Sequence, residues 1–437
     1  MVRQVMGVKG YGWKAGLAVA VAGGALLWHV LACIESPMAF SPSGKDLAFV
    51  TMEPYGEGED DASLAGTRIY RLMVLSDKKN LRIVEETSEN MLTAPAYRPD
   101  GKQYCYLRIP LLTPEAKKHM EEKQKEVQPK EDVAGRREGP YKLDIGRKLE
   151  ATPLKGPRDH VSLPSISDLD RFLRDIREGW LVPVVLVVRD AKSDEVVSRT
   201  LLEAPFRKYE SDRLGLAYLT TRPQYEAEGK WVYLCLADVV MGINPSEGKQ
   251  RILAAPAAVA ALSPDGKTIG VVQERVIAFV RTDGTLATYR RLGPELAEHV
   301  SESEVTWTDS RTLVLLVRKQ GPRLLFIRPD GSIVKDMALK LPEGAAGRDG
   351  EDPGELAIAP DGKHMVLALF KDVFFMKLDG TILKRKQASD DKPRDEEFLV
   401  QPTFTPDSKL VAFKCLEEDK EREGSYQRVK AIVFFTP

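Results

Sequence analysis

The side chains that could do chemistry are thinly spread along this chain. Five histidines, His29, His119, His160, His299 and His364, stand singly, none at the spacing at which imidazoles share a metal. His364 opens an apolar run after a turn, where a structural role is expected. No Gly-x-Ser-x-Gly elbow presents a nucleophilic serine, and no glycine-rich loop could cradle a phosphate. One carboxylate series does recur: Asp100, Asp265, Asp361 and Asp407 each follow a proline within a turn. An Asp in that place bonds its own backbone, so the series reads as turn chemistry rather than catalysis. The Glu-Gly-Glu-Asp-Asp run at 57–61 lacks the alternating ligands of a calcium loop and reads as a solvated acidic loop. No catalytic, cofactor-binding or metal-binding residue is assigned, and no cofactor is expected.

Of the four cysteines, Cys105, Cys235 and Cys415 lie in apolar runs, where buried free thiols are expected, and none has metal-ligand spacing. Cys33 stands apart. Residues 1–14 hold Arg3, Lys9 and Lys14 with no acid, residues 15–32 are rich in Ala, Val, Leu and Gly, and the first acid is Glu35. That order makes residues 1–34 an export signal or membrane anchor, with everything downstream on the periplasmic or another extracytoplasmic side. Val30-Leu31-Ala32-Cys33 resembles a bacterial lipoprotein box and makes Cys33 a candidate for lipid attachment, although Leu31 is larger than the residue usual there. An uncleaved helix and cleavage after Ala32 without a lipid are the other endings. The expectation is a membrane anchor or a lipoprotein rather than free secretion.

Lys plus Arg number 64 and Asp plus Glu 65, a net charge of -1, which argues against a dedicated nucleic-acid binder. What must position any site is a repeat. Ala260 to Val272 reads AALSPDGKTIGVV, two apolar runs joined by a Pro-Asp-Gly turn, and the pattern returns at Phe40, Tyr97, Ile358 and Phe404, with weaker copies at Thr220 and Thr306. Taking Pro42, Pro99, Pro223, Pro264, Thr308, Pro360 and Pro406 as equivalent, the last four intervals are 41, 44, 52 and 46 residues. Three units carry a second Asp-Gly turn, at Asp283-Gly284, Asp330-Gly331 and Asp379-Gly380, each after an apolar run. A unit therefore reads as four antiparallel strands. One such sheet leaves both faces open, whereas packing seven radially buries them all, so the fold class is all-β, a seven-bladed β-propeller of four-stranded antiparallel blades. Helical solenoids are excluded because residues 267–281 show no 3.6-residue apolar period.

The Pro-Asp-Gly-Lys turn before an apolar strand, as in SPDGKTIGVV and APDGKHMVLA, resembles the WD40-like repeat of TolB-like propellers, also found in prolyl-oligopeptidase-like peptidases. The Gly-His and Trp-Asp pairs of true WD repeats are absent. The resemblance implies a propeller over 35–437, with blades near 36–87, 93–202, 216–253, 257–292, 303–340, 355–388 and 398–437. It also implies a non-enzymatic module that binds a protein or peptide. No hydrolase motif follows the propeller, so peptidase activity is not expected.

Two departures from the repeat stand out. Blade 2 is interrupted by a charged, partly helical insert, 112–180, in which Ser167 caps a helix whose Leu169, Phe172, Leu173 and Ile176 share one face. That stripe suits docking on the propeller, a partner-binding groove or an oligomer contact. By strand alternation the insert shares a face with the N-terminal segment and with the acidic loops. The seventh unit runs out of residues for a fourth strand, so a three-stranded last blade is expected. An enzyme is the alternative function: a lyase or glycan hydrolase whose site converges in the channel would leave no linear motif. Two carboxylates with a His or Arg at the channel mouth would mark it.

Overall fold

The computed structural model describes residues 4–7, 37–54, 68–111, 184–202, 223–236, 239–254, 257, 259–273, 276–292, 305–309, 311–318, 322–342, 345, 355–369, 372–387, 397–419 and 426–437. They form six four-stranded antiparallel sheets and one of five strands, the blades of a seven-bladed propeller. Blade 1 runs Ala39–Phe40, Asp46–Pro54, Arg68–Ser76, Asn80–Thr87 from the axis outward; blade 2 has a split inner edge, Asn90–Leu92 and Ala96–Tyr97, then Gln103–Pro110, Val185–Asp190, Val196–Leu201. Blade 3 is Gln224–Tyr225, Val232–Leu236, Val239–Asn244, Lys249–Ala254, and blade 4 is Val259–Leu262, Thr268–Gln273, Val276–Arg281, Leu286–Arg291. Blade 5 is Val305–Asp309, Thr312–Arg318, Pro322–Ile327, Ile333–Ala338, and blade 6 is Glu355–Ile358, His364–Leu369, Asp372–Lys377, Ile382–Gln387. Blade 7 is Glu397–Phe404, Val411–Asp419, Tyr426–Phe435 and, outermost, Gln4–Gly7. Inner strands touch from blade to blade all the way round, with blade 3 meeting blade 4 through its second strand, so the ring is closed.

The repeated turn explains the hairpins. Gly266 N–H donates to Ser263 C=O at 2.8 Å, Lys267 N–H donates to Asp265 Oδ1 at 3.1 Å, and Gly266 has φ +71°, a region that glycine enters without strain. The same Asp-to-backbone bond recurs at Asp100, Asp309, Asp361 and Asp407, as turn chemistry requires. The turns also pack on one another. A Cβ at Gly266 would lie 3.0 Å from the Ala227 nitrogen of the preceding turn, and one at Gly362 would lie 3.2 Å from the Thr308 carbonyl. Pro42 abuts Gly101, Pro406 abuts Gly44, and Ser408 Oγ accepts from Asp361 N–H at 3.0 Å. The turns thus form an annulus on one face of the ring.

Two expectations are corrected. The third turn lies at 226–229, closed by Gly229 N–H donating to Glu226 C=O at 2.9 Å, while Pro223 precedes the inner strand Gln224–Tyr225. Without a proline in the turn itself, the nearby Pro223 was a false marker. Blade 7 is also not three-stranded: Gln4–Gly7 pairs antiparallel with its third strand, Gln4 opposite Phe434 and Gly7 opposite Ala431. The pairing covers an edge that would otherwise leave an apolar strand open.

The core lies between blades. Between blades 4 and 5, Ile277, Phe279, Trp307, Leu313, Leu315 and Leu325 are buried together, and Trp307 Nε1 donates to Ala261 C=O at 2.9 Å. Between blades 6 and 7, Phe375, Phe413 and Phe435 meet edge-to-face with centroids 5.5 to 6.3 Å apart. Each fully buried side chain of this kind contributes about 1.5–3 kcal/mol, so the stability of the ring resides in its seams.

Candidate functional site

All first and second turns open on the annular face, so every connection between second and third strands emerges on the opposite one. That opposite face is uneven. Second strands all begin directly after a turn, yet Asp46–Pro54 of blade 1 and Val411–Asp419 of blade 7 have 9 residues and Gln103–Pro110 of blade 2 has 8, while blades 3, 4 and 6 have 5, 6 and 6. Three additional residues lift a strand by roughly 10 Å. Blades 7, 1 and 2 therefore form a raised arc. The long connections 55–67, 112–183 and 420–425 leave from it and lie outside the described residues, whereas the second and third strands of blades 3, 4 and 6 are joined across 237–238, 274–275 and 370–371.

Beneath the arc, the seam between blades 1 and 2 adds a polar group to an apolar core that includes Val50, Leu72 and Leu92. Tyr104, Tyr106 and Arg108 alternate onto the side of blade 2 that faces blade 1. Glu85, from the outer strand of blade 1, meets Arg189 NH2 at 2.7 Å and accepts the Tyr106 hydroxyl, whose oxygen accepts Arg189 Nε–H at 2.9 Å. Arg108 Nε lies 2.8 Å from Glu85 Oε1 but its N–H is turned off the carboxylate, so this contact is an ion pair without a hydrogen bond. Nearer the turns, Asp194 pairs with Arg82 Nε at 2.7 Å and accepts the Tyr104 hydroxyl at 2.9 Å. Burial, reinforced by these carboxylates, pushes both tyrosine hydroxyls well above their ordinary pKa, so both remain donors.

At the inner end of the arc, where blades 6, 7 and 1 meet, sits a second polar group. Lys414 on the second strand of blade 7 is wholly buried, and its Nζ donates to Val50 C=O of blade 1 at 2.9 Å. Burial lowers its pKa to about 7, opposed by the Glu355 carboxylate. Glu355 accepts the backbone N–H of Gln401, a buried residue at a bulge with φ +58° whose Oε1 has no hydrogen-bond partner. Sequence reasoning missed Lys414, although a signal existed. It is the fifth residue after the turn cation, and the equivalents in the other blades are Val50, Leu107, Cys235, Val272, Leu316 and Ala368.

The residues singled out in the sequence are not brought together. Cys33 and the stripe Leu169, Phe172, Leu173 and Ile176 lie outside the described residues. Cys105, Cys235 and Cys415 form no disulfide; burial pushes the Cys105 thiol up to about 12, and Cys235 is only half-buried. His364 Nδ1 lies 2.9 Å from Asp361 Oδ2 in its own turn, a structural pairing. Among the described residues no group of three or more His, Cys, Asp or Glu could hold a metal.

Fold and surface together define a seven-bladed β-propeller. No family model matches the chain, and no curated protein matches it. Among solved structures it is similar to a chain of a mitotic checkpoint complex, with 8% identity and a TM-score of 0.53, covering 99% of this chain and 93% of that one. It also aligns with the C-terminal WD40 domain of Sif2 at 9% identity and a TM-score of 0.45, covering 92% and 97%, too low a score to support an argument. At such identity the likeness is one of fold alone.

Proposed function

We propose that the protein is a scaffold that binds a protein or peptide partner through the raised arc of blades 7, 1 and 2. The observation that carries this reading is the unevenness of the face: strands are lengthened and long connections inserted on one arc, while blades 3, 4 and 6 end in tight hairpins. Elaborated loops on a rigid frame are where binding surfaces are built. The Pro-Asp-Gly-Lys turns, with their resemblance to TolB-like propellers, and the similar chain's place in a multi-protein complex support the same reading. At the channel corner, among the described residues, Glu355 meets the Gln401 amide and the Lys414 amine.

The setting we propose is the cell envelope, with residues 1–34 as export signal and tether, on the strength of Arg3, Lys9 and Lys14 before the apolar run and of Cys33 after it. Export through this segment and docking of Gln4–Gly7 in blade 7 use the same residues and exclude each other in one molecule. The docked strand belongs to the form whose N-terminus stays with the propeller. N-terminal mass spectrometry of the mature protein tests this: a chain starting at Cys33 or Glu35, or an uncleaved one inaccessible to protease at its N-terminus, supports export. A chain starting at Met1 in the soluble cytoplasmic fraction refutes it.

The binding role is tested by affinity capture from envelope extracts with the full chain and with a variant lacking 113–179. A specific partner held by the first and lost by the second, with unchanged melting, is the predicted result. Capture of nothing specific by the full chain refutes the scaffold.

A further inference from the structure

At the seam between blades 7 and 1, the second strand of blade 7 carries Lys414 where the other six blades carry an uncharged residue. Along each second strand, alternate positions face the following blade; on blade 7 these include Ala412, Lys414 and Leu416, and across from them blade 1 presents Leu47, Phe49 and Met73. Taking an ammonium out of water in such a place is costly. Among the described residues, blade 1 gives it the Val50 carbonyl and blade 6 the Glu355 carboxylate. The third strand of blade 7 contributes Ile432, opposite Lys414, and Lys78 sits over the Phe434 ring at 5.6 Å.

We propose that Lys414 is a protonation-sensitive tie between blades 7 and 1: with a neutral amine the seam is sealed, and uptake of a proton from solvent favours its opening. Three features independent of titration stand behind this. The lysine replaces a residue that is apolar in six blades, it is wholly buried, and its amine reaches across the seam to a carbonyl of the neighbouring blade rather than out to water. The adjoining bulge adds a fourth, since Gln401 holds a left-handed backbone conformation and its amide oxygen has no partner among the described residues.

The direction of the effect follows from burial. In the sealed ring the amine loses its proton above about 7, whereas in the opened seam it keeps one up to the ordinary lysine range near 10.4. Opening therefore takes up a proton between those limits, and closure strengthens as pH rises through that window; below about 7 both states are charged and the dependence flattens.

The test is hydrogen exchange of peptides from Asp46–Pro54 and Val411–Asp419 in the full-length protein at pH 6, 7, 8 and 9, with labelling times corrected for intrinsic exchange. The opening equilibrium in the wild type is predicted to fall by about tenfold per pH unit above 7 and to be flat below it. Lys414→Met is predicted to be protected at every pH with no slope, and Lys414→Leu, the residue found at this place in blades 2 and 5, serves if methionine packs poorly. Glu355→Gln removes the group that holds the proton on, so its slope is predicted to extend below pH 7. A flat wild type, or an equal slope in Lys414→Met or Lys414→Leu, overturns the proposal; an unmoved window in Glu355→Gln removes Glu355 from it.

Discussion

The seam between blades 4 and 5 and the seam between blades 1 and 2 occupy equivalent places in the ring and differ in what is added to their apolar cores. In the first, Phe279, Trp307 and Leu313 fill the space, and Arg290 straps the rim by donating to Gly331 C=O at 3.0 Å. The strap recurs from blade 5 to 6 as Lys335 to Leu378 C=O at 3.4 Å and from blade 6 to 7 as Lys384 to Thr436 C=O at 3.3 Å. In the second, Glu85, Arg189, Tyr106 and Asp194 add a chain of directed bonds to a core that includes Val50, Leu72 and Leu92. An apolar seam gains by area and tolerates small shifts. A polar one holds a single geometry, because each displaced partner leaves a buried charge exposed to nothing. The difference teaches where this ring is generic and where it is particular: apolar cores run through arc and plain blades alike, and the directed network is added under the arc.

Substitutions can break this contrast, and the largest effect is expected on the apolar side. Trp307→Ala opens a cavity and strands the Ala261 carbonyl, and a loss of about 3–5 kcal/mol is expected as a lowered urea midpoint. On the polar side, Arg189→Met leaves Glu85 with Arg108 alone as its cation, at a cost of about 3 kcal/mol; a double-mutant cycle with Glu85→Gln should recover part of it as coupling. If Arg189→Met is neutral, the seam is merely solvated and the contrast fails. Gly266→Ala forces a Cβ into the left-handed region and against the preceding turn, for about 1–2 kcal/mol, measured in the same way.

The smallest effect is the acid limb. The Thr405 hydroxyl and the Lys409 N–H hold Asp407 down at about 2. Because its folded value is depressed, its contribution is complete above the ordinary carboxylate range and is lost as pH falls through about 2. Carboxyl titration by NMR should show Asp407 moving back toward the ordinary range in Thr405→Val. An unmoved titration means the turn hydroxyl does not hold it.

What was legible in the chain was what is local. The turn residues Pro264, Asp265 and Gly266 sit next to each other and announce a hairpin, so the blades and their number could be read off. The third turn misled because Glu226 to Gly229 lacks the proline that Pro223 offers three residues earlier. Closure by Gln4–Gly7 was hidden because that strand lies inside the basic flank of an apolar segment, where its composition already had an explanation. The polar seam could not be read at all: Arg189 and Glu85 are 104 residues apart, Tyr104 and Asp194 are 90 apart, and nothing short-range marks either pair. Lys414 lies between these cases, invisible as one residue and conspicuous once the blades are aligned.

The claim that the raised arc is the docking face is tested most directly by cross-linking mass spectrometry of the full chain in envelope extracts. Partner cross-links are predicted to cluster at the ends of Asp46–Pro54, Gln103–Pro110 and Val411–Asp419 and in the connections that leave them. Clustering on the annulus of turns, or over blades 3 to 6, would contradict it.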